Sequence, residues 1–334
     1  MESTFFPFIL VIAASFFQGS FGVGMKYMAP LKWESWWLVH ATIAMLLFPL
    51  AWALIAVPGL FDIISNAPTS AVTLAMVFGF LWGVGGIMFG VSIPYIGISL
   101  TYGIVMGLAS SVGSLIPLFQ MENATSNPAF PVVIAGVLVM LIGVTITAVA
   151  GIKRDMVKNE DNKSGNIVKG MIIASVCGVL SALLNVGFAN AAPVAKVAEA
   201  AGVITRNSSL AAWVVVLVGA YLMNAGYAVV LLIRNRSWNS FTVAKSGKAY
   251  MWSVIAGLCW FAALGVYGQG SALLGEIGPV IGWPILLGLS LIISNIWAYT
   301  SGEWKGAKGP FRLLLLGLAV LILATVILGY ANNV

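Results

Sequence analysis

Ten stretches of this chain, at roughly 5–25, 33–57, 70–92, 95–119, 129–151, 167–191, 208–233, 248–273, 277–299 and 310–331, are apolar almost throughout. Each comes close to the ~20 residues of helix that cross a ~30 Å hydrocarbon core. A soluble domain can bury one such stretch but not ten, and only 8% of the residues are charged, against roughly 25% in an ordinary soluble domain. The stretches contain glycine and proline and lack the two-residue alternation of an outer-membrane barrel. The expected fold is therefore an all-α integral membrane protein with ten transmembrane helices. The first stretch is expected to remain as a helix: Glu2 precedes it and no Lys or Arg occurs before Lys26, whereas a signal peptide opens with a positive region.

Basic residues orient the chain, because short loops rich in Lys and Arg stay on the cytoplasmic side. With the N-terminus outside, only Lys196 and Arg206 of the 16 basic residues fall outside. Both termini are thus expected on the outer face of a bacterial inner membrane. The net charge of +6 reflects this sidedness and forms no contiguous basic face, so nucleic acid is not an expected partner.

The chain also repeats itself. Gly79, Trp82, Gly90 and Gly97 reappear at one constant offset as Gly257, Trp260, Gly268 and Gly275, and Phe89 falls on Tyr267. Asn185 and Phe188 have the same spacing as Gln18 and Phe21. Between the halves lies the charge-dense run Lys153–Gly165, read as a solvated linker. The division is then 1–151, a cytoplasmic linker 152–166, and 167–334. Five spans per half is an odd number, so the second half enters from the opposite face. Inverted repeats of this kind underlie alternating access in secondary transporters.

Several polar and aromatic residues interrupt the apolar background. Trp82 and Phe89, like Trp260 and Tyr267, stand seven residues apart, which on a helix returns to nearly the same face, about 20° short of two turns. Trp260 is expected to stack on the substrate and Tyr267 to bind a hydroxyl of it, with Trp82, Gln269, Gln18, Asn185 and Asn224 as further substrate contacts. Aromatic rings beside amides and a phenol suit a neutral polyol, which pairs an apolar C–H face with a hydroxyl rim. Glu34, at the mouth of the second stretch, and His40, the single histidine, are the candidates for coupling or gating. The small-residue stripe Gly79, Gly83, Gly86 and Gly90 is expected to admit a neighbouring helix. Pro284 is expected to kink or interrupt the ninth helix, because it removes the donor to the Val280 carbonyl.

Other functions are disfavoured. No phosphate-binding loop, metal-ligand cluster, cofactor motif or nucleophile with a base partner is present, so no catalytic residue, metal or cofactor is expected. Cys177 and Cys259 lie in apolar stretches and are read as small hydrophobes. No carboxylate lies between Thr4 and Met25, where an exporter of lipophilic cations would hold a buried acid. A channel would show rings of one polar type from identical subunits.

Leu81-Trp-Gly-Val-Gly85 with Phe89-Gly90, Tyr95-Ile-Gly-Ile-Ser99, Gly103 and Gly107 resembles helices 3 and 4 of the L-rhamnose-proton symporter family, within the drug/metabolite transporter superfamily. Trp33-Glu34, Cys177-Gly178, Asn190-Ala-Ala192, Asn224-Ala-Gly-Tyr227, Trp260 with Tyr267-Gly-Gln-Gly270, and Glu303-Trp304 are similar too, so the likeness runs nearly end to end. It implies uptake of a rhamnose-like deoxy-hexose coupled to a proton or sodium gradient. The chain departs from the family pattern at 276–282, which widens the implied substrate beyond rhamnose. The alternative reading is a transporter for another neutral metabolite or amino acid.

Overall fold

The structure, a computed structural model, describes residues 5–158 and 166–334. Among these residues it is helical with no strand, and ten helices are long and apolar enough to span a membrane. They are α1 (Phe6–Tyr27), α2 (Trp33–Ala56), α3 (Thr69–Ile96), α4 (Ile98–Gln120), α5 (Ala129–Val157), α6 (Ile167–Ala200), α7 (Thr205–Arg234), α8 (Gly247–Leu273), α9 (Gly275–Thr300) and α10 (Lys308–Asn333). The ten expected helices are thus present, with shifts at their ends. α5 runs to Val157, so residues 152–157 of the expected linker are helical, while 159–165 lie outside the described residues. α3 and α4 are separated by Gly97 alone, whose φ of +78° is costly for any residue with a Cβ.

The helices pack as two compact units. The first comprises residues up to Gly83 and Gly187–Leu273; the second comprises Val84–Val186 and Leu274–Val334. Each unit draws on both halves of the sequence, so packing and sequence repeat divide the chain differently.

In the first unit, α3 and α7 meet backbone to backbone. A Cβ on Gly79 would collide with the Val216 carbonyl, and one on Gly219 with the Met76 carbonyl, so two glycines facing each other set this approach. The expected glycine stripe is only half used in this way: at Gly86 and Gly90 a Cβ would meet no described atom within 4 Å. α2 contains a π-turn at Ile43–Leu47 just before Pro49, which relieves the clash that proline brings to a regular helix. At one end of the unit, the Lys32 amide donates to Ser240 Oγ at 2.8 Å, and the Lys248 ammonium lies 4.7 Å from the centre of the Tyr27 ring.

In the second unit the prolines are accommodated by side chains. α9 continues helically through Pro284 from Gly278 to Thr300, which corrects the expected interruption. The reason is a donor from another helix: Ser114 Oγ of α4 donates to the Val280 carbonyl at 2.5 Å, the group that Pro284 cannot serve. Such re-satisfaction by Ser or Thr is how membrane helices tolerate proline. At one end of this unit Arg154 binds Asp155 through Nε at 2.9 Å and Nη2 at 2.7 Å, and its guanidinium lies 5.0 Å from the Trp304 ring centre. Ser99 Oγ donates to Asp155 Oδ2 at 2.6 Å. These partners explain why α5 extends past the expected boundary.

Candidate functional site

The first unit gathers most of the residues singled out by the sequence. Trp82 of α3 and Trp260 of α8 lie with ring centroids 5.4 Å apart, inclined at 34°. One turn before Trp260, Gly257 brings α8 against α2, where an added Cβ would sit 3.0 Å from the His40 carbonyl. The His40 ring is fully buried, 5.0 Å from Trp37 and 5.3 Å from Trp36. Trp37 Nε1 donates to Asn224 Oδ1 of α7 at 3.1 Å. Asn224 in turn lies against Gly83, beside Trp82, where a Cβ would come 3.0 Å from Nδ2. The contacts therefore close into a ring through α2, α7, α3 and α8.

Not every expected contact joins this ring. Tyr267, seven residues after Trp260, is fully buried among Phe188 and Trp213, at centroid distances of 5.8 and 6.2 Å. Gln269 Nε2 donates to Asn207 Oδ1 at 3.0 Å. Phe89, expected to share a face with Trp82, belongs to the second unit and packs edge-on against Tyr102 at 6.0 Å. Asn185 also belongs to the second unit, where its Nδ2 donates to the carbonyls of Gly113 and Pro279, both at 2.9 Å.

Two groups of buried polar atoms differ in their partners. Glu34, in the first turn of α2, accepts hydrogen bonds at Oε1 from Ser237 Oγ at 2.5 Å and from Asn235 Nδ2 at 3.1 Å. A carboxylate at a helix start is favoured by the helix dipole, and here it also ties α2 to the connection between α7 and α8. Gln18 Oε1 and both ring nitrogens of His40 have no protein partner in hydrogen-bonding geometry. The Ser253 main chain approaches the His40 ring without forming a bond of acceptable geometry.

No charged side chain belongs to the ring of contacts. Among the described residues, Asp and Glu lie at helix ends or between helices, and no group of His, Cys, Asp and Glu is placed to hold a metal ion. The arrangement is aromatic and uncharged, and its one amide, Asn224, is held by Trp37 Nε1 and the Ala220 carbonyl, which suits an uncharged molecule.

The family model for the L-rhamnose-proton symport protein matches residues 4–333. The chain belongs to that family. Similar proteins include the L-rhamnose-proton symporters of Yersinia pestis (strain Pestoides F) and Yersinia pseudotuberculosis (serotype O:1b), each 27% identical over 96% of this chain and 95% of its relative. A solved crystal structure shares the fold at 16% identity, with a TM-score of 0.57, over 94% of this chain and 96% of the other. Membership in the symporter family agrees with the resemblance carried by the short motifs, and makes this a transporter fold without catalytic residues to assign.

Sequence reasoning missed three contributors. Trp37 sits in the Trp-Glu-Ser-Trp-Trp run beside Glu34, and its place one turn before His40 was a signal. Trp213 and Asn207 gave none, since nothing in the α7 sequence marks them as the partners of Tyr267 and Gln269.

Proposed function

We propose that this chain is a secondary transporter that takes up L-rhamnose or a closely related deoxy-hexose together with a proton. The observation that carries the reading is the ring of contacts through Trp82, Trp260, Trp37 and Asn224, which is aromatic and uncharged, with the Asn224 amide held by Trp37 Nε1 and the Ala220 carbonyl. A sugar phosphate or an organic acid would require an interior Lys or Arg. Family membership and the names of the Yersinia relatives support rhamnose and the proton.

In this reading Trp260 and Trp82 stack on the sugar, and Asn224, Gln18, Tyr267 and Gln269 serve its hydroxyls directly or hold the surrounding side chains. The two five-helix halves act as inverted repeats, with both termini on the outer face of the bacterial inner membrane. Glu34 is proposed as the gating or coupling acid. Support for the orientation comes from the basic residues, of which only Lys196 and Arg206 among 16 fall outside in that arrangement.

The test is uptake by purified protein in liposomes. Adding L-rhamnose should alkalinise the outer medium, and an inward proton gradient should drive accumulation without sodium. Accumulation driven by sodium alone would replace the proton, and counterflow by an amino acid but by no sugar would overturn the reading.

A further inference from the structure

One end of the first unit is strongly basic. Lys26 and Lys32, at the α1–α2 turn, and Arg234, Arg236, Lys245 and Lys248, around the α7–α8 connection, are all exposed. The one carboxylate on these two segments, Glu34, is buried against Ser237 and Asn235. The segments are held together by contacts: Glu34 meets the residues on either side of Arg236, the Lys32 amide donates to Ser240 Oγ at 2.8 Å, and the Lys248 ammonium lies 4.7 Å from the Tyr27 ring centre. Trp238, half-exposed, stands beside Phe241 with ring centroids 6.1 Å apart. Exposed Trp, Tyr and basic side chains together mark the level of lipid headgroups.

An open groove lies next to this end, lined by Leu38, Val39, Thr42 and Ile43 of α2 and by Phe241 of the connection. The four α2 residues share one helix face, at i, i+1, i+4 and i+5. The Thr42 hydroxyl donates to the Leu38 carbonyl at 2.8 Å, so the groove presents an apolar lining. Phe241 follows Ser240, the partner of Lys32, and its carbonyl accepts the Tyr250 hydroxyl at 2.7 Å, which fixes the groove to the basic end. By helix rise, Leu38 to Ile43 lie roughly 8–15 Å along α2 from Trp33, the depth at which acyl chains begin below their headgroups.

We propose that this end binds an anionic phospholipid, with its phosphodiester among Lys32, Arg234 and Arg236 and one acyl chain in the α2 groove, so that the lipid joins α2 to the α7–α8 connection. Charge complementarity selects this occupant. A lipid with a negative headgroup meets both the cations and the apolar groove below them. A second copy seated by its own equivalent face would bring like charges together, and an acidic soluble partner would meet the charges but not a groove inside the span. The inference is independent of the transported solute.

The experiment uses the full chain, purified in detergent, with phosphatidylglycerol carrying a photoreactive group on one acyl chain and phosphatidylcholine carrying the same chains. Adducts are mapped by mass spectrometry. The phosphatidylglycerol probe should label residues 38–43 and Phe241 saturably, and the phosphatidylcholine probe should label them at least tenfold less at the same concentration. A variant combining Lys32→Gln, Arg234→Gln and Arg236→Asn changes only exposed side chains, and Asn tolerates the φ of +48° at position 236. In it the half-saturating concentration should rise about fivefold for each charge removed, with the thermal midpoint of the lipid-free protein unchanged. Equal labelling by both probes, spread also over Leu315 and Ile322 on the exposed face of α10, would overturn the site, because the lipid is then only bulk solvent. Unchanged saturation in the triple variant would overturn the role of the cations. Competition by glycerol phosphate as strong as by intact lipid would leave the groove without a chain and reject the proposal. Crosslinking of Val39→Cys between two copies in vesicles would assign the groove to a second copy instead.

Discussion

The side-chain amide of Asn185 donates to the main-chain carbonyl of Gly113 at 2.9 Å, and that carbonyl is the one deprived of its helical donor by Pro117. The same nitrogen reaches the Pro279 carbonyl on α9. Asn185 therefore brackets α4 and α9 at a point where both helices carry proline.

This bracket predicts a stability effect. Asn185→Leu leaves the buried Gly113 carbonyl, which Pro117 cannot serve, without a donor, at a cost of about 1–3 kcal/mol. The thermal midpoint of the purified protein in detergent should fall, while the sugar affinity of the folded fraction stays near that of the parent. If affinity collapses with no change in midpoint, Asn185 touches substrate instead.

Ser114 and Pro284 give a sharper version of the same argument. Ser114→Ala removes the donor to the Val280 carbonyl and should destabilise by about 1–3 kcal/mol. In a Pro284→Ala background the backbone regains its own donor, so the same serine change should cost much less. A double-mutant cycle that came out additive would show that the hydroxyl does not compensate for the proline.

How much of this was legible depended on the range of the interaction. The ten helices could be read because apolar length is a local property, and the internal echo marked Trp82 and Trp260 as equivalent positions without showing that their rings meet. The continuity of α9 could not be read. Pro284 announces a missing donor, but the replacement comes from Ser114 on α4, which looks like any other small residue in a packing stripe. Asn185 was equally opaque: an amide in an apolar helix has the same appearance whether it meets a sugar or a carbonyl. Tyr267 shares a helix face with Trp260, yet Phe188 and Trp213, from α6 and α7, decide its surroundings.

The orientation is open to direct measurement. In a chain lacking Cys177 and Cys259, a single cysteine placed at Asn333 should react with an impermeant thiol reagent applied to intact cells. One placed at Asn162 should react only after permeabilisation. The reverse pattern would invert the assignment made from basic residues.

Glu34 can be tested without removing its shape. Glu34→Gln keeps an oxygen for the Ser237 hydroxyl and the Asn235 amide but cannot carry a charge or exchange a proton. If Glu34 couples or gates, gradient-driven accumulation should vanish while sugar exchange continues. Unchanged accumulation would reject the coupling role, and joint loss of exchange and accumulation would mark Glu34 as a strap between α2 and the α7–α8 connection.

The stacking role of Trp260 yields the last prediction. Its ring is 5% exposed and lies against Trp82, so it presents a rigid aromatic surface inside the first unit, one turn from the Gly257 contact with α2. A sugar laid on that ring exchanges water on its C–H face for contact with the indole, and losing a buried aromatic contact costs about 1–3 kcal/mol. Trp260→Ala should therefore weaken L-rhamnose binding by roughly 5- to 150-fold. Trp260→Phe, which keeps a smaller ring in the same place, should retain part of the affinity, and Trp82→Ala should act in the same direction by unseating Trp260. The measurement is calorimetric titration of purified protein at equal folded fraction. Parent-like affinity in Trp260→Ala would place the sugar away from the Trp82 and Trp260 pair.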